Sequence, residues 1–315
     1  MDRITIFDTS SVTENLGDFI VMDYCNRILD SVFINDFLIR VPTHERISKV
    51  TYRYVTKSKY KIVCGTNLLT GMMHKYNQWK LKMIDTKYIR DVCLFGVGWR
   101  KYGEEPDLYS KMLWNRVLSH SLYHSVRDSY TEIKMREMGF ENVLNTGCPT
   151  MWGLTKELCS SVPTKKSSDV IMTTTRYNRC KEHDESMLQI LLQQYNKVYY
   201  WVQSIEDYQY VLSLKHGNSV IIIPPKLAAL DTVLSRDVDY CGTRLHAGIR
   251  ALNHKKRTII IATDNRAIEI AKDTGLPICK REEISEKLES MILEEWETKI
   301  NLPWNNIDIW LSQFK

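Results

Sequence analysis

Two side chains that could bind and protonate an anion lie close together in the stretch "GTRLHAGIRAL", residues 242–252. Arg244 offers a permanent cation with a fork of N–H donors, and His246 offers a ring that can carry a proton near neutral pH. Both are set among small and apolar residues, which is the pattern of a buried segment. The combination predicts a site for a small anion.

The elements around this stretch would place both side chains at a helix N-terminus. The apolar segment at residues 238–241 is typical of a strand, and a glycine follows it. We expect Thr243 to cap the next helix, with Arg244 and His246 in its first turn beside the free backbone N–H groups of Leu245 and its neighbours. A cation opposes the helix dipole there, so Arg244 fits an anion site better than a stabilising role.

A structural interpretation of the same residues stays open. Arg244 could pair with a neighbouring carboxylate such as Asp239, and His246 could be a core histidine with satisfied hydrogen bonds. Structural ion pairs imitate functional sites in sequence, so the pattern alone does not decide between the two interpretations.

Short apolar strands alternate with helical stretches along the whole chain, which predicts an α/β fold with parallel sheets covered by helices on both faces. The predicted strands are residues 4–7, 60–65, 91–98, 124–127, 142–147, 169–175, 197–202, 219–224, 238–241, 258–262 and 277–279. In the first half, helices are predicted near residues 18–34, 107–119 and 129–138. The last of these has capping-box spacing between Ser129 and Glu132.

The chain is long enough for two domains, and residues 160–169 are the best candidate for the boundary because they are polar and contain a proline. We therefore predict an N-terminal domain over residues 1–160 and a C-terminal domain over residues 168–297. Apolar residues at helical spacing predict a final helix over residues 303–315 that packs back on the first domain.

The composition limits the classes of partner. The chain has 315 residues, of which 43% are hydrophobic and 26% charged, and a formal net charge of +5. Its basic clusters, such as residues 254–257, are short and separate, so we expect no nucleic acid partner. We also expect no transmembrane segment and a cytoplasmic protein, because no apolar run approaches the roughly 20 residues that span a bilayer. The modest basic excess is compatible with peripheral association at the inner face of the membrane.

The eight cysteines form no Cys-x-x-Cys pair, and several lie inside predicted strands, so we expect reduced core thiols. No cluster with metal-ligand spacing is visible in the sequence, and we expect no metal site.

The stretch around Arg244, with "SRDVDYC" before it and "TIIIATDNRAIEIAKDTGLPI" after it, resembles the C-terminal core of the polysaccharide pyruvyl transferase family. Four earlier segments follow the family's order: "NLGD" (15–18), "CGTNLL" (64–69), "FGVGW" (95–99) and "VRDSYTEIKMREMGFENVLNTGCP" (126–149). Two features depart from the family pattern. "CGTN" has one glycine where three are common, and Cys148 stands where an aspartate commonly precedes the proline.

The resemblance implies two Rossmann-like domains facing a cleft, similar to GT-B glycosyltransferases, with the acceptor on the N-terminal side and the donor on the C-terminal side. It implies phosphoenolpyruvate as the donor and a sugar or oligosaccharide, free or lipid-linked, as the acceptor. Two sugar hydroxyls would add to the enolpyruvyl carbon as a ketal, and phosphate would leave, in cell-surface or exopolysaccharide biosynthesis. No cofactor is implied besides this donor substrate.

On the donor side, the resemblance implies that Arg244 binds the anionic groups, supported by Thr243 and the backbone of Leu245, and that His246 is the general acid. Arg176, directly after the strand at residues 169–175, resembles an arginine found after the equivalent strand of the family. The alternative for Arg176 is a solvated loop residue.

A second loop after a strand, "TDNR" at residues 263–266, would lie at the same edge of the sheet. We expect Asp264 to cap the following helix, and Arg266 is a weaker candidate for a phosphate contact.

The acceptor-side candidates come from several segments. Asn15, Gly17 and Asp18 form a turn into a helix, where Asp18 is expected to cap the helix and the loop could hydrogen-bond sugar hydroxyls. Trp99 could stack on a sugar face, and His124 is a candidate base.

Two other functions stay open. A nucleotide-sugar glycosyltransferase on the same architecture would need a ribose-binding acid, for which Glu269 is available, and a base-stacking slot, for which the aromatic residues of "VYYWV" (198–202) are available. A non-catalytic subunit that binds glycan or partner enzymes is the second alternative. The presence of Arg244 and His246 argues against it.

Overall fold

Strands and helices alternate along the chain in the computed structural model, which describes residues 1–315. The strands are β1 Arg3–Asp8, β2 Phe37–Pro42, β3 Tyr60–Cys64, β4 Val92–Phe95, β5 His124–Val126, β6 Val143–Asn145, β7 Asp169–Thr173, β8 Lys197–Trp201, β9 Ile221–Ile223, β10 Val238–Gly242, β11 Thr258–Ala262 and β12 Ile278–Lys280. The α-helices are α1 Leu16–Val32, α2 Lys49–Val55, α3 Leu108–Val117, α4 Ser129–Glu137, α5 Lys156–Ser160, α6 Lys181–Gln194, α7 Ile205–Ser213, α8 Leu227–Leu234, α9 Leu245–Asn253, α10 Asn265–Thr274, α11 Glu289–Leu293 and α12 Trp304–Ser312. Short 3₁₀ helices cover Met83–Lys87, Pro149–Met151, Gly217–Ser219 and Arg281–Glu283, and a π-helix covers Ile284–Leu288.

The chain divides into two units, each with its own core. Unit 1 comprises Met1–Thr13, Val21–Pro149 and Leu302–Lys315, and unit 2 comprises Glu14–Ile20 and Thr150–Asn301.

Unit 1 contains a parallel sheet with the strand order β2-β1-β3-β4, beside a parallel pair of β5 and β6. A single bridge between Val97 and Val126 links the chain after β4 to β5. Helix α12 and the residues that follow it add aromatic side chains to this unit. Trp310 stacks on Phe95 with ring centroids 4.4 Å apart, and Phe314 meets Phe33 edge-on at 5.4 Å.

Unit 2 contains a six-stranded parallel sheet with the order β12-β11-β10-β7-β8-β9. The chain builds the sheet outward from β7 through β8 and β9, and then crosses to the other side of β7 to add β10, β11 and β12. The order therefore reverses between β7 and β10. In open α/β sheets, ligands bind outside the carboxyl ends of the strands at such a reversal.

All eleven predicted strands are present, but β2 was missed. Its six residues, "FLIRVP", pair only with β1 at the edge of the sheet, and only one of them is buried. An edge strand with an exposed face lacks the continuous apolar run that marks the buried strands in the sequence.

The helix starts required corrections. The side chain of Asp128, not Ser129, caps α4 by accepting a hydrogen bond from Thr131 N. Thr243 does not cap α9, because Arg244 occupies the N-cap position and no side chain bonds the helix start. The predicted cap of α10 at Asp264 is confirmed, since its carboxylate accepts from Arg266 N at 3.0 Å.

The division of the chain also differs from the predicted boundary at residues 160–169, because residues 150–160 already belong to unit 2. The side chain of Asn253 on α9 donates to Thr150 O at 2.9 Å, which attaches the start of this segment to unit 2. Unit 2 extends beyond residue 297 as well, because Asn301 N donates to Thr274 O at 2.8 Å.

Candidate functional site

The candidate site lies in unit 2, where the sheet order reverses between β7 and β10. These strands pair through five positions, ending with Gly242 opposite Thr173. A Cβ atom on Gly242 would lie 2.4 Å from Thr173 Oγ1 and 2.6 Å from Thr173 N, so only glycine permits this approach. The close contact fixes the point from which the chain enters α9.

Arg244 is fixed in place by contacts to two neighbouring elements. Its Nε donates to Thr174 O at 2.8 Å, just after β7, and its Nη2 donates to Asp207 Oδ2 at 2.7 Å, in the first turn of α7. The side chain of Arg244 is 11% exposed and that of Asp207 is 1% exposed. Breaking such a buried pair would leave an uncompensated charge, so the pair holds the guanidinium in one orientation. Its other N–H groups can donate to a ligand.

Two buried tyrosines support this arrangement. Tyr240 donates from its hydroxyl to Arg244 O at 2.8 Å, and Tyr200 hydrogen-bonds Thr174 Oγ1. Burial raises the pKa of both Tyr200 and Tyr240 well above the ordinary value of a phenol, so both hydroxyls stay protonated at neutral pH. These groups position the backbone around Arg244.

Arg244 forms a buried ion pair, as its structural interpretation requires, but with a different carboxylate. Arg244 pairs with Asp207 and not with Asp239, which accepts hydrogen bonds from Tyr195 and from Ser167 N. The ion pair and an anion site are compatible here, because Asp207 engages a single N–H of the guanidinium.

A pocket of about 40 Å³ opens beside Arg244. The sequence-predicted residues that line it are Asn15, Gly17, Thr243, Arg244, Leu245, His246 and Arg266. The residues that line it without having been predicted are Thr175, Tyr177, Gln203 and Ala247. The helix α9 begins at Leu245, so its first backbone N–H groups and His246, its second residue, lie at this pocket.

Sequence reasoning missed Gln203 and Asp207. Gln203 directly follows the predicted strand 197–202, so the rule that polar residues after parallel strands gather at one edge could have identified it. Asp207 lies in the first turn of α7, where an acidic residue usually interacts favourably with the helix dipole. Its pairing with Arg244 could be inferred only once the strand order was known.

Arg176 lies outside the set of residues that line the pocket. It donates to Tyr177 Oη at 2.8 Å and forms ion pairs with Glu14 at 3.5 Å and Glu206 at 3.9 Å. Tyr177 lines the pocket, whereas Arg176 does not. The structure thus places Arg266, rather than Arg176, with Arg244.

The turn before α1 uses its polar residues differently from the prediction. Asn15 accepts from Gly17 N at 3.1 Å and donates from its side chain to Asp18 Oδ2 at 3.1 Å. Asp18 lies inside the first turn of α1 and is 3% exposed. Asn15 therefore takes the capping role predicted for Asp18, and Asn15 and Gly17 line the same pocket as Arg244.

The sequence profile of the polysaccharide pyruvyl transferase family matches residues 15–265. The chain belongs to this family. The match includes the whole segment from Asn15 to the start of α10, and so all the residues that line the pocket except Arg266. The predicted family is confirmed, and with it a transferase of polysaccharide biosynthesis.

The chain is similar to several solved structures. A UDP-GlcNAc 2-epimerase from Methanocaldococcus jannaschii, solved with UDP-GlcNAc and UDP, has a TM-score of 0.56 at 14% identity, with 98% of each chain covered. A lipopolysaccharide outer core galactosyltransferase, WaaB, has a TM-score of 0.49 at 9% identity, covering 93% of this chain and 90% of that one. The E. coli heptosyltransferase WaaC with ADP-2-deoxy-2-fluoro heptose has a TM-score of 0.41 at 12% identity, covering 82% and 88%. No curated protein sequence matches the chain significantly.

The likeness to the epimerase concerns the fold alone. Together with the parallel sheets of both units, it confirms the Rossmann-like, GT-B-like α/β class.

Two acceptor-side predictions for this pyruvyl transferase family member are wrong. Trp99 has no exposed surface and belongs to the core of unit 1, so it cannot stack on a sugar. Backbone pairing continues after β4, through a β-bridge between Leu69 and Trp99, and the indole of Trp99 points into the core. His124 is also fully buried, accepts from Leu94 N at 3.2 Å through Nδ1 and donates to Ser119 O at 2.8 Å through Nε2.

Burial lowers the pKa of His124 to about 4. The hydrogen bond to Ser119 O raises the pKa, and the charge of His120 lowers it, but both effects are smaller than that of burial. A neutral imidazole with both nitrogens engaged is a structural group and not a base for a sugar hydroxyl.

The aromatic residues that a nucleotide-sugar enzyme would need for base stacking are buried too. Tyr199, Tyr200 and Trp201 are each at most 5% exposed within β8. None of the described helices has both the length and the apolar character needed to cross a bilayer.

Proposed function

We propose that this family member transfers pyruvate from phosphoenolpyruvate to two hydroxyls of one sugar residue, forming a ketal in a cell-surface or exopolysaccharide. The observation that carries the proposal is the pocket in unit 2, where Arg244, Arg266, His246 and the N-terminus of α9 lie together. Two cations and a helix N-terminus favour a small, highly charged anion. Family membership supports the pyruvyl chemistry.

The reaction balances without a cofactor. The two sugar oxygens form bonds to C2 of the enolpyruvyl group, and the bond from C2 to the phosphate oxygen breaks. The two hydroxyl groups release two protons. In the balance, one proton is added to the methylene carbon, which becomes a methyl group, and the other leaves with inorganic phosphate. The enzyme must therefore bind a dianion, protonate a carbon and release phosphate.

The roles follow from position. Arg244, held by Asp207, would bind the phosphate together with the backbone N–H groups that begin α9. Arg266, whose Nε and Nη2 donate to the carboxylate of Asp264, would contribute its remaining N–H groups. His246 would deliver the proton to the methylene carbon, and the bound dianion would favour its charged form. Asn15, at the rim of the same pocket, offers an amide for acceptor hydroxyls.

The acceptor is proposed to be a sugar or oligosaccharide, free or lipid-linked, used in the cytoplasm or at the inner face of the membrane. The small net charge of +5 is compatible with either place.

Calorimetry with phosphoenolpyruvate tests the donor assignment. We expect the wild-type protein to bind it, Arg244→Ala to abolish binding, and Arg27→Ala, which removes an exposed arginine paired with Asp23 in α1, to leave it unchanged. Uridine, guanosine and cytidine diphosphates serve as the competing panel. Preference for one of these would contradict the proposal and support a nucleotide-sugar glycosyltransferase.

Turnover tests the acid. With an oligosaccharide acceptor, we expect His246→Ala to bind phosphoenolpyruvate normally and to release phosphate at least about 100-fold more slowly than the wild type. Full turnover in His246→Ala would remove His246 from the mechanism. Absence of turnover in the wild type with every acceptor, together with absence of donor binding, would support the non-catalytic alternative.

A further inference from the structure

A neutral amide in the pocket is not used by the protein itself. Gln203 lies two residues after the end of β8, lines the pocket beside Arg244 and is 3% exposed. Neither its Nε2 nor its Oε1 has a hydrogen-bond partner. The hydroxyl of Thr243, which also lines the pocket, is buried and has no partner either. Buried polar groups without partners destabilise a fold, so a ligand is a physical reason for keeping them.

The pocket context separates these groups from other buried polar atoms without partners. Trp79 Nε1 and Trp99 Nε1 are also unpaired, but both lie in the hydrophobic core of unit 1. Gln203 and Thr243 instead face the same pocket from two different loops of the sheet edge, one after β8 and one after β10. Each brings to this pocket a neutral hydrogen-bond donor that has no partner in the protein.

The charges around the pocket distinguish the two anionic groups of phosphoenolpyruvate. The dianionic phosphate is better matched to the cations and the helix N-terminus, which leaves the singly charged carboxylate for the neutral donors.

We propose that Gln203 and Thr243 bind the carboxylate of the donor and so select enolpyruvyl phosphate over phosphate esters that lack it. Nε2 of Gln203 and Oγ1 of Thr243 donate to the carboxylate, while Arg244 and the start of α9 hold the phosphate. This assignment of specificity rests on the proposed function.

The test compares three ligands by calorimetry: phosphoenolpyruvate, isopropenyl phosphate, which has a methyl group in place of the carboxylate, and inorganic phosphate. Gln203→Met keeps the size of the side chain and removes both polar atoms. We expect it to bind phosphoenolpyruvate roughly 10- to 100-fold more weakly, the effect of one lost hydrogen bond to a charged group, and the other two ligands as the wild type does. Thr243→Val should likewise weaken the binding of phosphoenolpyruvate and leave that of the other two ligands unchanged.

Stability of the unliganded protein gives a second readout. Gln203→Met removes unsatisfied buried polar atoms, so its thermal midpoint should rise, by about 2 °C or more. A glutamine that served only the fold would lower the midpoint when replaced. Gln193→Met, at an exposed glutamine in the last turn of α6, is the matched control and should change neither the midpoint nor ligand binding.

The outcomes separate the inference from the proposed function. Wild-type protein that binds phosphoenolpyruvate but does not prefer it over isopropenyl phosphate would overturn the carboxylate assignment and leave the donor assignment intact. An equal loss of all three ligands in Gln203→Met, or a lowered midpoint, would do the same. Wild-type protein that does not bind phosphoenolpyruvate at all would overturn both.

Discussion

The buried histidine of unit 1 makes the fold sensitive to mild acid. Burial lowers the pKa of His124 to about 4 in the folded chain, against an ordinary value of 6.5. The unfolded chain therefore binds a proton at His124 before the folded chain does, so this group favours folding fully above pH 6.5 and progressively less as the pH falls toward 4. The difference of pKa corresponds to a total of about 3 kcal/mol, of which about 2 kcal/mol is lost between pH 7 and pH 5.

Urea unfolding at pH 7, 6 and 5 measures this effect when His124→Gln is compared with the wild type. Glutamine has an N–H donor and an oxygen acceptor but does not titrate. The variant should therefore not lose the free energy of unfolding that the wild type loses through His124 as the pH falls. We expect the free energy of unfolding of the wild type to fall by about 2 kcal/mol more than that of the variant over this range.

His216→Gln, at an exposed histidine, is the control and should follow the wild type. Equal pH slopes for the wild type and His124→Gln would refute the reasoning. They would also return His124 to the set of candidate bases, because it would then titrate like an accessible imidazole.

Three further substitutions test the packing around the site and the core. Asp207→Asn should lower the free energy of unfolding by about 3 kcal/mol, because Arg244 loses its buried partner, and calorimetry should show weaker phosphate binding. Gly248→Ala should cost about 1–3 kcal/mol in urea unfolding, since its Cβ would lie 2.6 Å from Ile260 Cγ1. Trp310→Ala should cost about 3–5 kcal/mol by the same measurement, because the indole is fully buried.

The sequence predicted what depends on local pattern. The strands of unit 2 are apolar along their whole length because helices cover both faces of the sheet, so β7, β8, β10 and β11 are recognisable without the structure. The half-exposed edge strand β2 carries no such pattern. Cap positions were shifted by one residue at α4, because neighbouring polar residues compete for the role and the backbone geometry decides.

Arg244 and His246 of the candidate site were predictable from the sequence, and Gln203 was not. Arg244 and His246 stood out because cationic side chains are rare among buried residues. Gln203 did not stand out, because an uncharged polar residue after a strand is common. Only the structure shows that its buried polar atoms have no hydrogen-bond partner. Trp99 misled for the opposite reason, since its place after "GVG" resembled a loop while the backbone continued to pair.

Both units are assembled from separated stretches of chain, and this affects the order in which they can form. Unit 1 needs Leu302–Lys315, which are synthesised only after the whole of Thr150–Asn301. Its aromatic residues Phe95 and Phe33 thus remain without their partners Trp310 and Phe314 while the ribosome makes about half of the protein. We expect the nascent chain to depend on chaperones over this interval, because exposed apolar surface in incomplete domains promotes aggregation during synthesis.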